Sequence, residues 1–140
     1  MRSLSDMEIR QFLEEDAHTA KMATVAPDGH PHVVPVWYIV DGDELIVTIM
    51  STSAKGRHLV RDARVAITID DERPPFAFVT LRGIATLHHD PPDLLLWTTR
   101  IARRYVPDDV ARLGPRNAEI DDMIVRIRIT RAIGYAEVIV

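Results

Sequence analysis

Apolar positions recur along this chain at two spacings, and the switch from one to the other falls at recognisable punctuation. Ser5 and Glu8 form a capping-box pair, and Ile9, Phe12 and Leu13 follow at helical intervals, which predicts a first helix over 5–16. A period of two then takes over. Residues 18–26 read as a strand that ends at Pro27-Asp28-Gly29, where Asp-Gly suits a tight hairpin. Residues 31–40 form a second strand, closed by a second such turn at Asp41-Gly42. In 43–50, Leu45, Val47 and Ile49 face one way and Ile46, Thr48 and Met50 the other.

A short helix is expected over 53–61, followed by a strand over 63–70. Pro74-Pro75 breaks the chain before a long strand over 76–89. Asp90-Pro91-Pro92-Asp93 opens a further helix, in which Leu94, Trp97, Ile101 and Tyr105 make one stripe while Arg100, Arg103 and Arg104 fall off it. Residues 106–122 read as a looser connection. The last strand runs from Met123 to the end, with Val125, Ile127 and Ile129 inward against Arg126 and Arg128. Some six strands joined mostly by hairpins, with two or three helices, predict a mainly β fold. The architecture expected is an antiparallel barrel rather than a βαβ sheet.

Composition narrows the function. At 140 residues the chain is one domain by length, and 46% hydrophobic with 27% charged residues is ordinary globular material. A net charge of −4 argues against a general nucleic-acid binder. With no Cys there is no disulfide framework, thiol nucleophile or thiolate metal site. The start, MRSLSDMEIR, lacks a signal-peptide core and no apolar run reaches membrane-spanning length, so no membrane partner and a cytoplasmic location are expected. The glycines form neither a dinucleotide fingerprint nor a P-loop, no serine sits in a nucleophile elbow, and the histidines lack zincin spacing, so no metal is expected. Asp70-Asp71, Asp108-Asp109 and Asp121-Asp122 read as loop edges and caps. If the protein is an enzyme, a bound cofactor is expected to carry the chemistry.

One segment stands apart. Between Leu45 and Arg61 this acidic chain has no acidic residue, and MSTSAKGRHLVRD (50–62) supplies hydroxyls and cations where a strand gives way to a helix. Helix N-termini offer free backbone N–H groups and a positive dipole end, Ser51, Thr52 and Ser53 add hydroxyls, Lys55 and Arg57 add charge, and Gly56 permits close approach. An anion site and a solvated helix capped by Ser53 both fit this pattern. In VVPVWYIV, Pro35 is either an edge residue with Trp37 as core filler, or it opens a gap where a flat ring lies against the backbone.

Taken together, the ATVxxDGxPH hairpin, the PVWY strand, SxKxRxLxxDxRV leading into the next strand, LRGIATL and the final VRIRITRAIGY resemble the pyridoxamine 5′-phosphate oxidase-like proteins. These are split β-barrel binders of flavins and deazaflavins, and the likeness spans nearly the whole chain. The resemblance implies a six-stranded antiparallel split barrel with flanking helices, a homodimer, and two cofactor sites at the subunit interface. It places the cofactor ring against Val34, Pro35, Val36 and Trp37 and against Thr48, Met50 and Ser51, and the cofactor phosphate at the segment with Ser53, Lys55, Gly56 and Arg57. Phe76 is implied as an aromatic offered across the interface, and His58, where many relatives carry Asn, is given no role.

The chain ends AIGYAEVIV, without the Arg and Trp that grip substrate in the oxidases proper, so vitamin oxidation is not implied. The short KxRxL chains are most similar to the branch using coenzyme F420. The reading is therefore an F420-dependent reductase acting on a conjugated small-molecule redox substrate. An FMN-dependent oxidoreductase and a non-catalytic flavin or deazaflavin carrier are the alternatives. No catalytic acid is assigned; solvent or a backbone group is expected to donate the proton.

Overall fold

The computed structural model of the protein describes residues 1–139. Helix α1 (Asp6–Glu14) starts as expected: the Ser5 side chain accepts from the Glu8 amide and the Glu8 carboxylate accepts from the Ser5 amide. Its apolar face, Ile9, Phe12 and Leu13, is buried. Strands β1 (Arg2–Ser3), β2 (Ala20–Val25), β3 (Pro31–Val36), β4 (Ile39–Asp41), β5 (Glu44–Ile49), β6 (Arg64–Asp71), β7 (Ala77–His89) and β8 (Met123–Ala136) build one antiparallel sheet. Its order is β3-β2-β6-β7-β8-β5-β4, with β1 added alongside β8. Helices α2 (Ala54–Arg61), α3 (Leu94–Tyr105) and α4 (Val110–Ile120) flank it.

Eight strands replace the six expected, for two reasons. Two residues at the start pair with the end of β8, Arg2 opposite Ala136. The strand predicted over 31–40 is broken at Trp37-Tyr38 into β3 and β4, which are the two opposite edges of the sheet. Three chain steps from Val36 to Ile39 span at most about 10–11 Å, so the sheet must curl until its edges nearly meet. No ladder joins β3 to β4 among the described residues, so the barrel is split rather than closed. The final strand stops at Ala136, and Val140, at the end of the stretch predicted as strand, lies outside the described residues.

Side chains hold the seam where backbone pairing does not. Tyr38 is fully buried, its hydroxyl donates to Leu13 O at 2.8 Å, and its amide donates to the Tyr105 hydroxyl at 3.2 Å. Tyr105 in turn donates to His18 O at 2.7 Å and stacks on Trp37, centroids 4.9 Å apart and planes 3° from parallel. Arg104 lies over both the Tyr38 and Tyr105 rings and donates to the carbonyls of Leu13 and Asp16 at 2.9 and 2.8 Å. The last turn of α1 is thereby tied to α3. Thus Arg104, which falls off the apolar stripe, is a structural cation.

The interior follows the predicted alternation. Leu45, Val47 and Ile49 join Val125 and Ile127 in the main core, with Ile129 packed at its margin. The opposite face of β5 has three fates: Ile46 is buried with Trp97 and Ile124 under α3, Thr48 is half-buried, and Met50 is exposed. The connection over 106–122, read as loose, is in fact a 3-10 turn (Pro107–Asp109) and α4. Gly114 and Pro115 are poor helix formers, which concealed α4 in the sequence. Packing overrides them: a Cβ on Gly114 would meet Thr99 Oγ1 at 2.7 Å, and Thr98 Oγ1 donates to Gly114 O at 2.8 Å.

The seam bonds predict an order of costs. Tyr105→Phe leaves the Tyr38 amide without its acceptor and should destabilise the fold by about 1–3 kcal/mol. Tyr38→Phe should cost less, about 1 kcal/mol, because Leu13 O keeps its bond from Arg104. Chemical denaturation of the two variants checks the ranking; equal or inverted losses would contradict this account of the seam.

Candidate functional site

A cavity of about 380 Å³ opens beside the seam, within the range of small-ligand sites. Pro35, Val36 and Trp37 form one wall, Thr48 of β5 and Lys55 of α2 another, and Ile101 of α3, Asn117 of α4 and Asp121, which caps α4, complete it. Pro35 sits on an edge strand, where its missing N–H leaves no gap in a central ladder. Trp37 is not core filler, since it is half-buried and stacked on Tyr105. The cavity therefore combines an apolar, partly aromatic wall with hydroxyl, amide, ammonium and carboxyl groups. This donor set suits a flat heteroaromatic ring carrying an anionic tail.

The turn between β5 and α2 is built from the hydroxyl-rich segment. Ser53 caps α2, accepting from the Gly56 amide at 3.2 Å while its hydroxyl donates to Met50 O at 2.6 Å. Gly56 is required by close approach: a Cβ would lie 2.7 Å from both Met50 O and Ser51 O. Ser51 donates its amide and hydroxyl to the Asp122 carboxylate at 2.7 and 2.6 Å. The acid-free stretch thus receives a carboxylate from the distant start of β8. Arg57 donates to Thr52 O at 2.8 Å across the first turn and remains exposed. The first-turn amides of α2 have no intrahelical acceptor, and Lys55 stands beside them facing the cavity.

The neighbouring carboxyls Asp121 and Asp122 are pushed in opposite directions. Burial raises Asp121 above the ordinary carboxylate range, against the lowering effects of the Thr48 hydrogen bond and the Lys55 charge and with a small push upward from Asp122. The side-chain and backbone hydrogen bonds from Ser51 hold Asp122 low. Elsewhere, His58 shares a 2.9 Å hydrogen bond with the Thr24 hydroxyl and meets His32 edge-on at 5.2 Å. Desolvation first, then the charges of His32, Arg61 and Arg57, lower its pKa.

Residues 5–133 match the family profile described as pyridoxamine 5′-phosphate oxidase. The chain belongs to that family. Among solved structures, the conserved hypothetical protein Rv2991 of Mycobacterium tuberculosis superposes with a TM-score of 0.82 at 26% identity, covering 96% of this chain and 86% of that one. A protein described as an F420 reductase is 27% identical, with a TM-score of 0.72 and coverage of 87% and 94% respectively. An FAD-binding protein from Mesorhizobium loti shares the fold at 20% identity, with a TM-score of 0.72 and 95% coverage of both chains. No curated protein matches the chain significantly. Family and relatives make it a protein of the flavin-binding oxidoreductase superfamily.

Within this family frame, the structure brings together Pro35, Val36, Trp37, Thr48 and Lys55 around one cavity. Val34 points instead into the margin of the main core. Met50, Ser51, Ser53 and Gly56 shape the turn that carries Lys55, and the Ser51 and Ser53 hydroxyls are engaged internally. Phe76, held at φ 66°, lines a separate cavity with Lys21, Asp70 and Phe78. Asp121 and Asn117 were not singled out from the sequence, because their segment was read as a loop with acidic edges. No helix is long and apolar enough to cross a membrane among the described residues.

Several carboxylates share the behaviour of Asp122: Arg64 holds Asp62, and Arg73 holds Asp71, at about 2. A carboxylate held low in the fold stabilises it above the unfolded value, and that contribution is lost as pH falls through the folded value. The melting temperature should therefore hold down to about pH 4 and fall steeply between about 4 and 2. Asp122→Asn should flatten part of that fall. A melting temperature independent of pH across that interval in the parent protein would contradict the assignment.

Proposed function

We propose that this protein is a cytoplasmic F420-dependent reductase that reduces conjugated, electron-poor small molecules. The observation carrying the reading is the seam cavity, where the Pro35–Trp37 wall meets Thr48 and Lys55, at the N-terminal turn of α2, in one space. The 27% identical relative described as an F420 reductase, matched over most of both chains, supports the choice of cofactor. Reduced F420 supplies a hydride. The chain's own residues bind and orient: Pro35, Val36, Trp37 and Thr48 line the ring, while Lys55, Arg57 and the amides of α2 hold the phosphate. Walls from α3 and α4 exclude water, which strengthens every charge interaction inside.

The reading includes a homodimer with a cofactor site at each side of the interface. Phe76 is offered across that interface, which accords with its lying outside its own chain's seam cavity. Size-exclusion chromatography with light scattering should give twice the chain mass; a monomer would remove Phe76 from the site.

Calorimetric titration of the purified protein with F420 and, separately, FMN tests the cofactor. F420 should bind more tightly. Replacing Lys55→Ala together with Arg57→Ala should weaken F420 binding by about 2–4 kcal/mol, each counted as a charge-assisted contact. Titration curves unchanged in the double variant would sink this placement of the phosphate, and exclusive FMN binding would sink the choice of cofactor.

A further inference from the structure

The geometry points to Asp121 as the group that delivers the proton to the acceptor, loaded when the cofactor's anionic group settles at Lys55. This inference rests on the reductase reading above. Asp121 is set at the end of α4, where its amide closes on Asn117 O at 2.8 Å, and its carboxyl lines the seam cavity with Pro35, Trp37, Thr48 and Lys55. Thr48 Oγ1 donates to its Oδ2 at 2.8 Å. That bond fixes the carboxyl rotation and leaves Oδ1 to carry a proton. Asp122 cannot serve, since both its oxygens accept bonds from Ser51.

The chemistry needs such a group. Reduction of a C=C–C=O acceptor forms one C–H bond from a hydride at the β carbon, and the displaced π pair must be met by a proton at the α carbon. Reduced F420 supplies the hydride and is oxidised by two electrons; Asp121 Oδ1–H supplies the proton and is left as carboxylate, which solvent reprotonates. A carboxyl whose protonated form is favoured by burial serves this role better than one in the ordinary solvated state.

Four influences face Asp121: burial and Asp122 favour its protonated form, while the Thr48 hydroxyl and the Lys55 ammonium oppose it. An anion bound at Lys55 cancels the opposing charge from α2. Cofactor binding should then draw a proton onto Asp121, coupling occupancy of the site to readiness of its acid.

The test uses the full chain, with F420 and cyclohex-2-enone as acceptor. Carboxyl carbon NMR of the ligand-free protein, assigned by the loss of one resonance in Asp121→Asn, should show Asp121 titrating above the other aspartates and moving higher when F420 is added. Calorimetry in buffers of different ionisation enthalpy should show proton uptake on F420 binding to the parent protein and none to Asp121→Asn. That variant should keep or improve F420 affinity, since a carboxylate leaves the cavity, yet reduce the enone about 10²–10⁴-fold more slowly. Asp121→Glu, which retains an acid, should recover part of the rate and restore the fall in rate as pH rises through the donor's titration. Parent-like turnover by Asp121→Asn, or an Asp121 resonance titrating with the other aspartates whether or not F420 is present, overturns the inference and leaves the reductase reading standing. A parent protein that binds no F420 overturns both.

Discussion

Two residues, Trp37 and Tyr38, carry the chain from one edge of an eight-stranded sheet to the other, and this short reach governs the rest of the molecule. So brief a link forces the sheet to curl, yet among the described residues β3 and β4 share no ladder. The exposed backbone of two sheet edges is a liability in most folds. Here the Tyr38 side chain fills the gap from inside, Tyr105 and Trp37 lie across it, and Arg104 fastens α1 and α3 on either side. The cavity exists beside this seam because the edges approach without joining.

Charge is distributed by the same tertiary logic. The stretch from Leu45 to Arg61 contains no acid of its own, but the start of β8 brings Asp122 to Ser51 and Asp121 to Thr48. One backbone step separates the two carboxyls, and their surroundings treat them oppositely. Asp122 accepts both a backbone and a hydroxyl proton and is held as an anion, whereas Asp121 accepts a single hydroxyl in a desolvated space. Pairs of acids driven apart in this way are a recurrent arrangement at sites that move protons.

Much of this was legible along the chain. The capping box of α1, the cap of α2 at Ser53, the inward sets on β5 and β8, and the hairpin turns all depend on neighbours a few residues away, and each appears as read. Pro35 also announced an edge, although Trp37 turned out to stack on Tyr105, a partner remote in sequence. What local pattern could not carry is what long-range packing decides. α4 survives Gly114 and Pro115 because Thr98 and Thr99 accommodate it. Asp121 looked like a loop edge because nothing nearby in the chain reveals that Thr48 and Lys55 will face it.

The position of β8 has a consequence for how the molecule is made. It lies between β7 and β5, so without it the sheet falls into two pieces, β3-β2-β6-β7 and β5-β4, with no strand pairing between them among the described residues. A ribosome releases β8 after the seven other strands. Until then the nascent chain holds a lone hairpin and an open edge. The sheet therefore becomes continuous only when this strand takes its place in the middle and not at the rim.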